Sequence, residues 1–178
     1  MPTVKEVLND TKKRLKEQGI DTFSLDSSLL VSEVTGLTKI QLVTHDRDEV
    51  TEEQLDRLEN LVEERLKNKP MQYILGHCEF MGLDFKVTEN TLIPRGDTEN
   101  IVEEVIATIE NSGYNTVLDM CTGTGAIAIS VAHYTKAKVT ASDISKKALE
   151  VARENAQNLN ADVNFIESDL FENINEKF

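Results

Sequence analysis

A chain of 178 residues, 39% hydrophobic and 29% charged, has the make-up of a globular protein with one large domain or two small ones. Its net charge of −13 opposes a phosphate backbone, so direct nucleic-acid binding is not expected. It has no apolar run of about 18–20 residues, as a membrane span needs, no signal-peptide pattern, and only two cysteines, too few for a disulfide framework or metal site, which leaves the cytoplasm as the expected compartment.

Up to residue 70 the pattern is helical. Thr3 and Glu6 form a capping box ahead of Val4, Val7, Leu8 and Leu15, and Gly19 stops that helix. The cluster Lys12-Lys13-Arg14 with Lys16 lies in the same pattern as Glu6, Asp10 and Glu17 and reads as a solvated face. A second helix is expected over 25–35, with Leu25, Leu29 and Leu30 inward and Gly36 as its stop. Thr38 caps a short third helix carrying Ile40, Leu42 and Val43. Thr51 and Gln54 open another, with Leu55, Leu58, Val62 and Leu66 inward, and Pro70 prevents its continuation. His45 stands alone as a surface side chain. This is a small bundle over 1–70 without a catalytic constellation.

Beyond Pro70 the pattern changes. Residues 71–75 add a helical turn ending at Gly76, and two β-like runs, 78–81 and 83–87, flank Gly82 as a hairpin. An extended Thr91-Leu92-Ile93-Pro94-Arg95 follows. Asp97 is placed to cap a helix whose buried stripe is Ile101, Val102, Val105, Ile106 and Ile109. From Asn115 strands near 116–119, 138–142 and 162–166 alternate with helices near 125–134 and 145–158, the latter capped by Ser145. Such alternation implies a parallel sheet. Three strands leave an edge and apolar surface open, so the chain reads as a piece of a longer protein.

The densest chemical signal is Val117-Leu118-Asp119-Met120-Cys121-Thr122-Gly123-Thr124-Gly125-Ala126-Ile127. An apolar strand ends in an acid, passes through a Thr/Gly loop and opens into an apolar helix, which offers backbone N–H groups to a small ligand at a helix N-terminus. Glycine permits close approach and positive φ. Asp143 ends the second strand about twenty residues further on, where an acid accepts ribose hydroxyls. Asp169, in Glu167-Ser168-Asp169-Leu170-Phe171, follows the third strand, where it can accept a base amino group. All lie at C-terminal strand ends, the edge at which such sheets bind ligands.

The D-x-C-x-G-x-G spacing resembles motif I of class I S-adenosylmethionine-dependent methyltransferases. With Pro70-Met71-Gln72-Tyr73-Ile74-Leu75-Gly76, Glu79-Phe80-Met81-Gly82-Leu83 and Leu92-Ile93-Pro94-Arg95-Gly96-Asp97-Thr98-Glu99, the chain resembles the bacterial release-factor glutamine methyltransferases, the PrmC (HemK) family, over essentially its full length. The resemblance implies an α/β architecture of a helical substrate-recognition domain (1–70), a β-hairpin linker (71–96) and the first half of a Rossmann-like S-adenosyl-L-methionine-binding domain (97–178). It implies methyl transfer to the side-chain amide of the glutamine in the Gly-Gly-Gln motif of a class I peptide chain release factor, the partner. Asp119, Cys121, Thr122, Gly123, Thr124 and Gly125 would form the cofactor loop, with Asp119 holding it. Asp143 would bind the ribose and Asp169 would lie beside the adenine. For Arg95 two readings stay open: the active-site edge, or a surface salt bridge to Asp97 or Glu99.

Three departures stand out. Gly96 replaces a common proline and loosens a turn. Cys121 replaces a common glycine; its Cβ fits positive φ poorly and narrows the pocket, yet the sibling branch acting on a ribosomal-protein glutamine has a similar Asp-Met-Cys-Thr-Gly. The family's Asn-Pro-Pro-Tyr, which orients the poorly nucleophilic amide for in-line attack, does not occur in these 178 residues, so they are expected to be inactive alone. Two other classes fit less well: an amino-group methyltransferase acting on another protein glutamine or a nucleic-acid base, opposed by the acidic balance and the linker, and a non-enzymatic helical interaction module on a vestigial nucleotide fold.

Overall fold

The computed structural model describes residues 1–178, which divide into two compact units, Met1–Leu75 and Gly76–Phe178. The first contains α1 (Val4–Glu17), α2 (Phe23–Thr35), α3 (Gln41–Thr44), α4 (Glu52–Leu66) and α5 (Met71–Leu75). Helix starts follow side-chain chemistry. Thr3 and Glu6 bond reciprocally, as do Thr51 and Gln54, satisfying N-terminal amides that no helical carbonyl can reach. Thr38 and Gln41 form a similar pair at 2.9 and 3.2 Å around the turn before α3, although Ile40, without a side-chain bond, takes the cap position that Thr38 was expected to fill. The Val4 and Lys5 amides donate instead to the carbonyls of Asp48 and Asp46, tying α1 to the loop before α4.

Leu15, Leu30, Val31, Val50 and Val62 form the centre of this unit. One residue expected inward is not. Leu25 is half exposed, because the covered row of α2 is Asp26, Ser27, Leu30, Val31 and Val34; Ile40 and Val43 are largely exposed, and only Leu42 of α3 is buried. The buried Asp26 carboxylate accepts from the Arg65 guanidinium (2.7 Å) and the Thr22 hydroxyl (2.8 Å). This pairing across 39 residues was not legible from local pattern.

The second unit begins with the hairpin β1 (His77–Phe80) and β2 (Leu83–Lys86), antiparallel around Met81 and Gly82. Both turn residues have positive φ, 54° and 71°, the backbone twist that tight hairpins require. Next come a 3-10 turn (Gly96–Thr98), α6 (Glu99–Ser112), β3 (Thr116–Met120), α7 (Ala126–Tyr134), β4 (Lys138–Asp143), α8 (Lys146–Asn158) and β5 (Val163–Glu167). The sheet order is β3-β4-β5, all parallel. Ser145 caps α8 by accepting the Ala148 amide.

Two expectations here need correction. Asp97 does not cap α6: the 3-10 turn intervenes, Thr98 takes the cap position without a side-chain bond, and Asp97 is exposed. Of the predicted α6 stripe only Val102 is fully covered, and Ile101 is mostly exposed. The hairpin also belongs to the core of this unit. Phe80 and Phe85 are fully buried, edge to face with ring centroids 6.1 Å apart, and pack with Val102, Ile129 and Ala141. Its turn is clamped at Met81, whose N–H donates to Glu99 (2.7 Å) and whose carbonyl accepts from the Tyr134 hydroxyl (2.7 Å). The unit boundary accordingly falls after Leu75, with α5 grouped with the helices and the hairpin with the sheet.

Candidate functional site

β3 runs straight into the loop because Asp119 anchors the residues just beyond the strand. Its nearly buried carboxylate accepts from the Thr122 hydroxyl (2.6 Å) and from the Ala128 amide in the first turn of α7 (3.2 Å). One acid thus holds both the loop and the helix start. Burial pushes the Asp119 carboxyl above the ordinary carboxylate range, and the Asp143 charge adds to the rise against those two bonds.

The loop backbone is laced to the strand ends. Thr122 donates its amide to the Ser142 carbonyl (2.9 Å), and Gly125 donates to Thr122 (2.9 Å). Asp143 accepts the Gly123 amide on one carboxylate oxygen and the Ser145 amide on the other, both at 2.9 Å. At β5 the Ser168 amide donates to the Asp143 carbonyl (3.1 Å).

The two loop glycines serve different ends. Gly125 has φ +81°, and a Cβ there would sit 2.7 Å from Ile129 Cδ1 and 3.2 Å from Ala152 Cβ, so it permits close helix packing. Gly123 has φ +58° and open space where a Cβ would point. Cys121 takes positive φ, 64°, despite its Cβ, and is exposed.

A cavity of about 190 Å³ lies against this loop, lined by Cys121, Thr122, Gly123 and Thr124 on one side and by Phe80, Ile93, Pro94 and Arg95 on the other. Arg95 is exposed at this lip. Glu99, one of its two alternative partners, is instead bonded to the Met81 amide. Asp169 stands exposed after β5, outside the hydrogen-bonded loop network. A larger recess, about 530 Å³, runs along α6 and β3, but its walls are mainly apolar (Ile101, Val105, Ile109, Val117, Phe178) and include no loop residue. Only the smaller of these two cavities borders the glycine loop.

Sequence reasoning missed Asn155 of α8. Its side chain is fully buried and bonds the Thr124 carbonyl as well as both polar groups of the Lys86 backbone. A signal was present: an asparagine on the apolar face of α8, beside Ala152 and Ala156.

A parallel sheet whose first strand ends in an acid, then a glycine loop, then acids at the next two strand ends, is the arrangement of class I methyltransferase domains. Sequence comparison agrees. Residues 6–76 match the PrmC N-terminal domain and residues 100–178 the methyltransferase small domain. The release factor glutamine methyltransferase of Clostridium acetobutylicum is 42% identical over 158 residues, covering 88% of this chain and 55% of that protein. Its counterpart from Fusobacterium nucleatum is 40% identical over 176 residues, 97% of this chain and 50% of that protein. The chain therefore carries matches to a PrmC N-terminal domain and to a methyltransferase small domain, and it is similar in sequence to the release factor glutamine methyltransferases. It spans about half the length of these curated relatives. Among solved structures, Pyrococcus abyssi tRNA (uracil-54, C5)-methyltransferase in complex with S-adenosyl-L-homocysteine is 24% identical over 52% of this chain and 23% of that chain, with a TM-score of 0.45. No helix is long and apolar enough to cross a membrane.

Proposed function

We propose that this chain is the substrate-recognition and cofactor-binding part of a protein-(glutamine-N5) methyltransferase. It uses S-adenosyl-L-methionine and acts in the cytoplasm on the Gly-Gly-Gln glutamine of class I peptide chain release factors. The observation that carries the cofactor assignment is the loop itself: Asp143 grips the Gly123 amide, while the space where a Cβ of Gly123 would stand is open. That cradle fits a ligand approaching the backbone closely.

The residues have distinct parts in this reading. Asp119 touches no ligand; it positions the loop through Thr122 and Ala128. Thr122 to Gly125 and the start of α7 line the cradle, with Cys121 at its exposed shoulder. A carboxylate has about four acceptor positions; the Gly123 and Ser145 amides occupy two on Asp143, leaving others for ribose hydroxyls. Exposed Asp169 is available to a base amino group. The exposed apolar side chains of Ile144 and Leu170, next in sequence to Asp143 and Asp169, suit the faces of a planar base. The bound cofactor would supply an electrophilic methyl group, and Arg95 would stand at the mouth of the site. The helical unit, with its PrmC N-terminal match, is assigned to recognition of the release factor.

Calorimetry with S-adenosyl-L-homocysteine tests the cofactor assignment. Saturable binding that is lost in Gly123→Val supports it; no heat from a folded wild-type chain overturns it. Mass spectrometry of a release factor incubated with S-adenosyl-L-methionine tests the reaction. Methylation of the Gly-Gly-Gln glutamine by a form that carries Asn-Pro-Pro-Tyr, and none by the 178 residues, is the expected pattern. Modification of another residue by that form would refute the substrate assignment.

A further inference from the structure

Asn155 is buried in α8, far in sequence from everything it holds. Its Oδ1 accepts the Lys86 amide (2.8 Å), and its Nδ2 donates to the Lys86 carbonyl (3.0 Å) and the Thr124 carbonyl (2.9 Å). A side-chain amide has two N–H donors, and both are used. Towards β2 the side chain acts as a neighbouring strand would, pairing with both polar groups of one residue. Towards the loop it pins one carbonyl. At 1% exposure, water cannot replace these bonds.

Pinning the Thr124 carbonyl has a specific effect. The peptide joining Thr124 to Gly125 is planar, so its carbonyl and its N–H point in opposite directions. The Asn155 bond fixes one end, and the Gly125 amide, donating to Thr122, fixes the other. The peptide plane in the middle of the glycine loop is thereby set. Beside Asn155, Glu154 holds the Lys86 ammonium with both carboxylate oxygens at 2.7 Å, so α8 grips β2 by side chain as well as backbone. The hairpin is clamped at its other end by Glu99 and Tyr134.

We propose that Asn155 is a positioning residue that couples the hairpin to the glycine loop: the loop keeps its ligand-ready backbone only while β2 is docked on α8. The mechanical link stands on the three hydrogen bonds alone. Its consequence for cofactor affinity rests on the reading under Proposed function.

Amide hydrogen exchange on the full chain tests the link without ligand. Asn155→Ala removes all three bonds and accelerates exchange at Thr122, Gly123, Gly125 and Lys86 by roughly tenfold or more, while Ala141 in the central strand is unchanged. Asn155→Asp keeps an acceptor for the Lys86 amide but no donor for Thr124, so the loop amides exchange faster and Lys86 remains slow. If the aspartate variant does not fold, the alanine variant decides. Unchanged loop exchange, or equal acceleration at every amide of the unit including Ala141, overturns the proposal, the second result marking a merely structural residue. Calorimetry with S-adenosyl-L-homocysteine is the second arm. Roughly tenfold weaker binding in the variants supports coupling to the site, and equal binding with a loosened loop refutes it. No binding by the wild type counts against the cofactor assignment, and the exchange comparison still decides the link.

Discussion

In Met1–Leu75 the side chains that bridge distant segments are mostly ion pairs open to solvent, Arg14 with Glu59 and Arg57 with Glu33, beside the one largely buried pair of Asp26 and Arg65. In Gly76–Phe178 the buried bridges are Asp119, Thr122 and Asn155, and all three converge on one loop at one edge of the sheet. The contrast arises from backbone accounting. A helix bundle satisfies its chain ends locally, as the Thr3 and Thr51 caps do. A parallel sheet ends in loops whose buried amides and carbonyls need partners from other strands and helices. Buried polarity therefore collects at the loop whose geometry it fixes.

The comparison predicts different penalties for breaking each kind of bridge. The largest belongs to the helical unit. Arg65→Ala strands the Asp26 carboxylate in the core with only the Thr22 hydroxyl, and urea unfolding should show a loss of about 3–4 kcal/mol. Nearly as costly is Gly125→Ala in the other unit, where the new Cβ collides with Ile129 and Ala152 at positive φ; a loss of about 3 kcal/mol is expected. Gly123→Ala should cost only about 1 kcal/mol of stability for its φ. It should nonetheless weaken S-adenosyl-L-homocysteine binding roughly tenfold or more, because the methyl enters the space the ligand needs. Equal stability losses at the two glycines would break the distinction between packing and cradle.

Acidity sharpens it further, because the carboxyl groups of the two units are shifted in opposite directions. The Asp119 carboxyl lies above its unfolded value, so the folded unit holds that proton more tightly. This group costs stability at neutral pH, and the cost is relieved as pH falls through its folded value. Asp119→Asn should flatten that dependence while loosening the loop, seen as faster Thr122 exchange. Glu59 behaves conversely. The Arg14 guanidinium holds its carboxyl below the ordinary range, so its contribution is present above the unfolded value and fades as pH falls through the folded one. The pair is partly solvent-screened, and Glu59→Gln should cost under about 1 kcal/mol at neutral pH, the smallest effect of the series. Unfolding curves for wild type and variants at about pH 7, about pH 4.5 and about pH 3 measure both signs, since the Glu59 contribution fades only below its unfolded value.

The caps at Thr3 and Thr51, the stop at Gly36, the hairpin at Gly82 and the acid-to-glycine loop at Asp119 were all legible in the chain. Each is an interaction completed within a few residues, so the covalent sequence already brings its parts together. Leu25 and Ile101 were expected inward and lie outside, and Asp97 was expected as a cap and is not one. Helical periodicity sets which residues share a face, but only packing decides which face is covered. The Asp26–Arg65 pair and the bonds from Asn155 to Lys86 and Thr124 span 39, 69 and 31 residues, distances at which no local pattern specifies a partner. Folding had to bring those groups together before burial could make their hydrogen bonds obligatory.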